Sequence, residues 1–263
     1  MAEFDGAHGK VHYGHWSPDD PDVLVVFFHG LGEHIGSYGP LAEALTEAGF
    51  AVWAADHAGH GRSDGERVLI NSVDDLLADA ATLVGLARAA HPGLPLVLAG
   101  HSLGATVATL LAGEAEPAAL VLAGSSLVPD PSGGLAVLLA SGIDPWELRK
   151  DPGEMTRHAG YAQQIRDDPL TWQGGLRRET LRALVEAAPR MAEALGTLKQ
   201  PVLLLHGEAD DMAPVAGALR AAELVPDARA VVFPEDRHNI LNELDREDVY
   251  RVFTEFIAER VRS

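Results

Sequence analysis

The chain has 263 residues, 47% of them hydrophobic, which is enough for one large domain with a sizeable core. A formal net charge of −19 argues against binding to nucleic acid and against electrostatic attraction to anionic membranes. The absence of cysteine excludes disulfides, a catalytic thiol and cysteine-ligated metals. Residues 1–20 carry charges and no apolar stretch, so we expect no secretory signal and a cytoplasmic location.

Short apolar runs alternate with longer amphipathic segments, which predicts the α/β class, a mostly parallel sheet with helices on both faces. The predicted strands are residues 11–16, 23–28, 51–55, 96–99, 119–122, 202–205 and 230–233. The predicted helices are residues 40–48, 73–90, 103–113, 215–224 and 245–262.

The alternation stops between residues 125 and 199, where no strand signal occurs. A long stretch without a strand, set between two strands, predicts a helical insertion at the carboxyl edge of the sheet, before the penultimate strand. Ligands bind at that edge in open α/β sheets. We therefore expect a core formed by residues 1–124 and 200–263 and a cap, residues 125–199, over the site.

A Gly-His-Ser-Leu-Gly pentapeptide centred on Ser102 joins a predicted strand to a predicted helix. A serine in this position sits on a sharp turn that exposes its hydroxyl above the sheet, and the flanking glycines leave room for the backbone to fold tightly. The alternative is a flexible Gly/Ser turn without chemistry. The context of strand, turn and helix favours a nucleophile.

A nucleophilic serine needs an imidazole to accept its proton and a carboxylate to orient that imidazole. In this architecture the chain order is serine, acid, histidine. Of the twelve histidines, only His206 and His238 lie beyond the strand 202–205, and only His238 follows the acidic candidates. His238 is therefore the predicted base, with a surface loop histidine as the alternative.

The acid is expected directly after the strand that ends at residue 205, where the sequence reads Gly-Glu-Ala-Asp-Asp. Asp210 is the preferred candidate because a Gly-x-x-Asp turn brings its side chain back toward the histidine loop. Asp211 is the rival, and Glu208 is less favoured because it lies closer to the strand end.

The negative charge of a tetrahedral intermediate requires backbone donors that are already in place. One is the amide of Leu103, at the N-terminus of the helix that follows the serine. The second is expected from Leu31, whose flanking glycines let the loop after the strand 23–28 turn tightly. A plain glycine-rich turn is the alternative interpretation of that loop.

Four motifs together resemble the monoacylglycerol lipase and lysophospholipase-like branch of the α/β-hydrolases. They are His-Gly-Leu-Gly-Glu-His at 29–34, Asp-His-Ala-Gly-His-Gly-Arg-Ser-Asp-Gly at 56–65, the serine motif at 100–104 and Asp-Pro-Leu at 168–170. The resemblance implies an α/β-hydrolase fold with nucleophile Ser102, acid Asp210, base His238 and oxyanion donors Leu31 and Leu103, in agreement with the spacing.

The chain departs from this family at three positions. Leu103 and Ala105 replace a frequent methionine and glycine, which leaves the chemistry unaffected because Leu103 contributes a backbone amide. Ser37 stands where some relatives carry a longer polar residue near the glycerol site, while Tyr38 is retained. Ser37 therefore weakens any inference about contacts with the head group.

Substrate contacts are predicted from two groups of residues. Within the apolar run 135–140, Leu135, Leu138 and Leu139 are expected to line the path of an acyl chain and to let the cap touch lipid surfaces transiently. The alternative is that they only pack the cap onto the core. Trp146 and Trp172 fall in the same region with the same two interpretations.

Near the nucleophile and the oxyanion loop, Glu33, Tyr38 and His101 are candidate contacts to a polar head group. For Glu33 and His101 a structural hydrogen-bonding role is an equal alternative. His57 and His60 have no carboxylate and histidine set around them that completes a metal site, so turn histidines are the favoured interpretation.

The sequence thus predicts a serine hydrolase that cleaves carboxylic esters through an acyl-enzyme, without cofactor or metal, and the resemblance implies monoacylglycerol as the substrate. Within the enzyme class the alternatives are an esterase for short or aromatic acyl esters, a lysophospholipase and, more distantly, a proline-releasing aminopeptidase. Haloalkane dehalogenases and epoxide hydrolases are disfavoured because they carry aspartate where this chain has Ser102. A catalytically silent ligand receptor or protein scaffold is the alternative from another class.

Overall fold

The structure is a computed structural model that describes residues 2–128 and 134–262. Residues 129–133, which belong to the predicted cap, lie outside the described residues. The strands are β1 (Ala2–Gly6), β2 (Gly9–Trp16), β3 (Val23–Phe28), β4 (Phe50–Ala55), β5 (Leu96–His101), β6 (Ala119–Ala123), β7 (Val202–Gly207) and β8 (Ala228–Phe233).

Among these residues the strands form one eight-stranded sheet in the order β1-β2-β4-β3-β5-β6-β7-β8. Strands β3 to β8 run parallel, and β1 and β2 form an antiparallel hairpin at one edge. Central strands such as β3 are buried along their whole length, which explains their uninterrupted apolar sequence. The predicted mostly parallel sheet is confirmed, whereas β1 was missed.

The helices are α1 (Gly39–Glu47), α2 (Val73–Ala90), α3 (Leu103–Ala115), α4 (Gly134–Ala140), α5 (Pro152–Met155), α6 (Ala159–Asp167), α7 (Arg178–Thr197), α8 (Val215–Leu224) and α9 (Arg246–Val261). One face of the sheet is covered by α2, α3, α7 and α8. The opposite face is covered by α1 and α9. Helices on both faces of a parallel sheet, as predicted, leave the carboxyl ends of the strands as the open edge for a site.

The segment between β6 and β7 is the predicted helical insertion and contains α4 to α7. Its two ends differ, because α7 packs against α2 and α3 and enters the core, while α4 packs against α7 and has no buried residue. No helix in the described part of the chain is long and apolar enough to cross a membrane.

Candidate active site

Ser102 lies on the sharp turn between the end of β5 and the start of α3. Its backbone has φ 52° and ψ −113°, a conformation that costs a non-glycine residue on the order of 1–3 kcal/mol. The turn is held by the Ser102 N–H, which donates to Ala123 O over 2.9 Å. A side chain at Gly100 would collide with the backbone of Gly104, and one at Gly104 would collide with the carbonyl of Phe28. The two glycines therefore permit the turn that raises the serine hydroxyl.

The structure brings together the three side chains that the sequence selected, Ser102, Asp210 and His238. Ser102 Oγ lies 3.1 Å from His238 Nε2, and His238 Nδ1 lies 2.8 Å from Asp210 Oδ2. Asp210 and His238 are buried, whereas Ser102 is partly exposed. Because Nδ1 faces a carboxylate, it carries the proton, and Nε2 offers its lone pair to the serine hydroxyl.

Asp210 is held by more donors than the imidazole alone. Its Oδ1 accepts from the N–H groups of Met212 and Ala213, and its Oδ2 lies 3.2 Å from His206 Nε2. Burial alone would raise the pKa of Asp210, but hydrogen bonds from His206 and His238 hold it well below its usual range. The carboxylate is therefore ionised and fixed at neutral pH. His206 was missed as a contributor, and its only signal is its place four residues before the acid.

The rival acids do not reach the imidazole. Asp211 points outward with a side chain that is 64% exposed, and its Oδ2 lies 2.8 Å from the ammonium of Lys150. Glu208 is exposed as well. A Gly-x-x-Asp turn thus separates two adjacent aspartates into one buried and one solvated side chain.

The predicted oxyanion donors are Leu31, in the loop after β3, and Leu103, at the start of α3, and these two segments touch. Leu103 opens α3, so its N–H belongs to the first turn and lacks a partner within the helix. The Leu31 loop closes through Glu33 N–H, which donates to Gly30 O over 3.2 Å. Over residues 2–128 and 134–262, the Leu31 N–H makes no hydrogen bond to a protein acceptor. These loops meet where Gly104 packs against the end of β3.

A hydroxyl, an imidazole and a carboxylate in this geometry can carry out nucleophilic acyl transfer, since the imidazole removes the hydroxyl proton and the carboxylate stabilises the resulting imidazolium. The profile of the family described as serine aminopeptidase, S33 (Hydrolase_4) matches residues 19–245. The chain belongs to this family of α/β-hydrolases. It is therefore a serine hydrolase of the lipase and esterase type.

Relatives within and near this family cover almost the whole chain. The monoacylglycerol lipase of Mycolicibacterium smegmatis is 33% identical over 98% of this chain and 96% of the relative. The human monoglyceride lipase is 32% identical over 85% of this chain and 77% of the relative. The crystal structure of Paleococcus ferrophilus monoacylglycerol lipase superposes with a TM-score of 0.81 at 27% identity, over 95% of this chain and 99% of that one. The predicted family resemblance and the α/β-hydrolase fold are thus confirmed.

In this S33 hydrolase, Glu33, Tyr38 and His101 form a buried polar cluster behind the triad. Glu33 Oε2 lies 3.1 Å from His101 Nδ1 and also accepts from Tyr38 OH and from Gly30 N–H. Burial alone would raise the pKa of Glu33, but the facing His101 and the hydrogen bonds lower it to about 2. Burial would lower the pKa of His101, yet Glu33 raises it overall. An ion pair buried in this way fits the structural alternative better than contact with a head group.

The cluster also supports the loop that carries His238. His101 Nε2 donates to the His238 carbonyl over 3.0 Å, and Asn239 Nδ2 donates to Glu33 Oε1 over 2.7 Å. Asn239 also lies 3.4 Å from Tyr161 OH. The sequence analysis missed Asn239 and Tyr161. Asn239 could have been found from its position directly after the base, but nothing in the sequence marks Tyr161.

Two of the four family motifs, the oxyanion loop and the Asp-Pro-Leu segment of the insertion, touch each other. His34, from the oxyanion loop, places its Nε2 2.7 Å from Oδ2 of Asp168, in the insertion. Next to this pair, the Trp172 N–H donates to Gly32 O over 2.7 Å. The insertion is therefore fastened directly to the loop that carries Leu31.

The three leucines predicted to line an acyl path lie on α4, which has no buried residue. Leu135 is 41% exposed, and Leu138 and Leu139 are partly exposed. Their contact with an acyl chain stays a prediction. A cavity of about 190 Å³ lies elsewhere, between the oxyanion loop, the loop after β4 and the insertion. It is lined by Gly32, Gly59, His60, Arg67, Val68, Pro169, Leu170, Thr171 and Trp172.

The two tryptophans of the insertion contact each other in a tilted arrangement beside that cavity. The rings of Trp146 and Trp172 are 5.5 Å apart, and the Arg177 guanidinium lies 5.0 Å from the Trp146 ring centre. His57 and His60, in the loop after β4, each face a backbone carbonyl, those of His29 and Ala58 respectively. Burial lowers the pKa of His57 to about 3 and that of His60 to about 4, so both are neutral.

Proposed function

We propose that this serine hydrolase is a monoacylglycerol lipase in which Ser102 is the nucleophile, His238 the base and Asp210 the orienting acid. The observation that carries the proposal is the pair of contacts made by the His238 imidazole, 3.1 Å to Ser102 Oγ and 2.8 Å to Asp210 Oδ2. Leu31 and Leu103 supply the oxyanion donors. Relatives named monoacylglycerol or monoglyceride lipase support the choice of substrate.

Acylation begins when Ser102 Oγ attacks the ester carbonyl and His238 Nε2 takes the hydroxyl proton. The carbonyl oxygen becomes an oxyanion, which the Leu31 and Leu103 amides stabilise because they are fixed before the charge develops. The C–O bond to the alcohol then breaks, and the protonated His238 gives its proton to the departing glycerol oxygen. An acyl-Ser102 ester remains.

Deacylation repeats these steps with water. His238 Nε2 removes a proton from a water molecule, the resulting hydroxide attacks the acyl carbonyl, and the same donors hold the second oxyanion. The proton then passes to Ser102 Oγ as the fatty acid leaves. Asp210, whose pKa is held low by its donors, stays ionised throughout and stabilises the imidazolium.

The apolar surface of α4 supports an acyl substrate of some length. Each methylene that leaves water on binding contributes about 0.8 kcal/mol, so a long chain gains several kcal/mol from even a partial apolar path. The helix offers Leu135, Leu138 and Leu139 for that purpose, and also for contact with a lipid surface. Glycerol as the departing alcohol is supported by the names of the relatives alone.

The test is a panel of esters measured beside active-site labelling. We expect wild-type protein to be labelled by a fluorophosphonate and Ser102→Ala to be unlabelled and to lose at least about 10³-fold in activity. Among monoacylglycerols from short to long acyl chains, di- and triacylglycerols, lysophospholipids and p-nitrophenyl esters, the long monoacylglycerols should show the highest kcat/KM.

The outcomes separate the rival functions. Unlabelled wild-type protein would mean a ligand receptor or scaffold. Labelling with activity confined to short aryl esters would mean a carboxylesterase, and a preference for lysophospholipids would mean a lysophospholipase. Release of an N-terminal proline from peptides, with no ester hydrolysis, would mean an aminopeptidase.

A further inference from the structure

The loop that carries His238 is hydrogen-bonded to the part of the insertion around α5. The Asn239 N–H donates to Met155 O over 2.8 Å, and Thr156 Oγ1 donates to the carbonyl of Asn242 over 3.1 Å. These contacts flank the predicted base on its C-terminal side. The insertion therefore forms one wall of the histidine loop and is not merely a cover above it.

The side chain of Glu243 links the same two segments by hydrogen bonds. Its side chain is fully buried, and both of its oxygens lie 3.0 Å from the Arg157 N–H. The same carboxylate accepts from the N–H groups of Arg237 and Leu244. Arg237 immediately precedes His238, so Glu243 fixes the backbone next to the residue that carries the imidazole.

The guanidinium of Arg157 lies among four acidic side chains of the histidine loop. It contacts Asp236 directly, lies 2.7 Å from Asp245 and 3.3 Å from Glu243, and reaches Glu235 at 3.5 Å. Asp236 and Glu243 are fully buried. Asp236, Glu243 and Asp245 each offer an oxygen within 4.8 Å of the others, so this one cation faces all three carboxylates.

The acidic cluster of Asp236, Glu243 and Asp245 has more negative charge than Arg157 alone can neutralise. Burial and the neighbouring Asp245 raise the pKa of Asp236 above its usual range, although Arg157 acts to lower it. One Asp236 oxygen, Oδ2, is buried without a hydrogen-bond partner among the described residues. Loss of the guanidinium would leave the buried carboxylates without their cation, which is strongly destabilising until a carboxyl takes up a proton or the side chains move apart.

Movement there would reach the triad directly. The Asp236 carbonyl accepts from Ala209 N–H over 2.9 Å, and Ala209 immediately precedes Asp210. Asp236 itself lies two residues before His238. The cluster therefore sits between the loop of the acid and the loop of the base, at the point where a shift changes the contact between their side chains.

We propose that Arg157 is a positioning residue for His238, which it holds in reach of Ser102 by fastening the histidine loop to the insertion through Asp236 and Glu243. The inference rests on the proposed function, because it takes His238 as the base. It goes further in making the insertion part of the catalytic framework. A displacement of about 1 Å in such a framework lowers turnover by about 10²-fold.

The test compares Arg157→Met and Arg157→Lys with Arg166→Met. Arg166 is the matched control because it lies in the same insertion and pairs with the exposed Asp151, an ion pair that includes no residue of the histidine loop. Each variant is assayed with p-nitrophenyl butyrate and with a small alkyl fluorophosphonate, because neither reagent needs an acyl-chain path. The melting temperature is recorded so that all rates are taken on folded protein.

We expect Arg157→Met to lose about 10²-fold in kcat with KM nearly unchanged, and to be labelled more slowly in the same proportion. Arg157→Lys keeps the charge but lacks the fork that bridges several carboxylates, so it should recover about tenfold of that loss. Arg166→Met should stay within about twofold of the wild type.

A melting temperature lowered without any change in kcat or in labelling rate would overturn the inference, because Arg157 would then be only an anchor. So would a raised KM at normal kcat. If Arg157→Met fails to fold, Arg157→Lys decides, since wild-type kcat in that variant contradicts the proposal and a lower kcat at constant KM supports it. Wild-type protein that takes up no fluorophosphonate would instead refute the proposed function.

Discussion

The loops at the carboxyl ends of the strands and helix α4 differ in how firmly their side chains are held. In the loops, Asp210, His238 and Glu33 are buried and each is fixed by hydrogen bonds from other loops. Helix α4 is as apolar as a core helix, yet none of its residues is buried, and Leu135 is 41% exposed.

This difference separates chemistry from substrate selection. Catalysis requires donors and acceptors that are in place before charge develops, so the loops are fixed by the fold itself. An apolar helix without a packing partner on its outer face gains stability only when something apolar covers it. Under the proposed function, that apolar partner is the lipid substrate.

The largest effect on kcat is expected when the buried carboxylate of Asp210 is replaced by a neutral amide. Asp210→Asn preserves the shape of the side chain but lets an amide face His238 Nδ1, which favours the wrong tautomer and lowers kcat by about 10⁴-fold. Asp211→Asn, on the neighbouring exposed aspartate, should stay within about twofold. The measurement is kcat for a p-nitrophenyl ester. A larger loss in Asp211→Asn than in Asp210→Asn would show that the acid has been assigned to the wrong residue.

A second prediction concerns the buried ion pair behind the triad. Glu33→Gln leaves the buried, protonated His101 without its negative partner and disturbs the hydrogen bonds from Tyr38 and Asn239. It should therefore lower the free energy of unfolding by about 3–5 kcal/mol. Urea unfolding at pH 5.5 is the measurement. Glu114→Gln, on an exposed acid, is the control. A loss below about 1 kcal/mol would mean that the pair contributes little net stability.

The pH dependence of that loss has a defined sign. The pKa of Glu33 falls from 4.5 to about 2 on folding, so its contribution is present above 4.5 and disappears as the pH falls toward 2. The pKa of His101 rises from 6.5, so its contribution is present below 6.5 and disappears as the pH rises through the folded value. The loss of unfolding free energy in Glu33→Gln should therefore be greatest between pH 4.5 and pH 6.5, and it should shrink as the pH falls toward 2.

A third prediction compares the two ends of the insertion in stability. Leu195, on α7, is fully buried in the core, so Leu195→Ala should lower the free energy of unfolding by about 2–5 kcal/mol. Leu135→Ala on α4 should change it by at most about 0.5 kcal/mol. Both are read from urea unfolding curves. A large loss in the α4 variant would show that this helix is covered by protein in solution.

Much of the candidate site followed from the sequence because chain order restricts it. Twelve histidines reduced to His238 once the serine and the acid had to precede it, and the turn after β7 offered only three carboxylates. His206 and Asn239 could not be ranked in the same way. Their roles depend on hydrogen bonds between loops that are distant in sequence, and a position near the acid or the base does not show which loop the side chain contacts.

The fold was predictable where burial imposes a period on the sequence, as in β3 and α2, whose bounds agree with the predicted ones. Strand β1 was missed because its five residues, Ala-Glu-Phe-Asp-Gly, bury only Phe4. The place of α7 was also hidden. The predicted helices include none over its residues, and its sequence does not show that its apolar face joins the core on α2 and α3.

The smallest predicted effect tests the exposed side of the comparison. Leu138→Ala removes part of the apolar surface of α4. The acyl chain then loses about 1 kcal/mol of binding free energy, which should raise KM for a long-chain monoacylglycerol about fivefold. The value of kcat for a short ester should not change, because the triad lies in the fixed loops. Leu219→Ala on α8, which removes an exposed leucine outside the insertion, is the control. If long and short substrates respond alike, α4 does not line the acyl path, and the cavity beside Gly32 and Trp172 becomes the next segment to mutate.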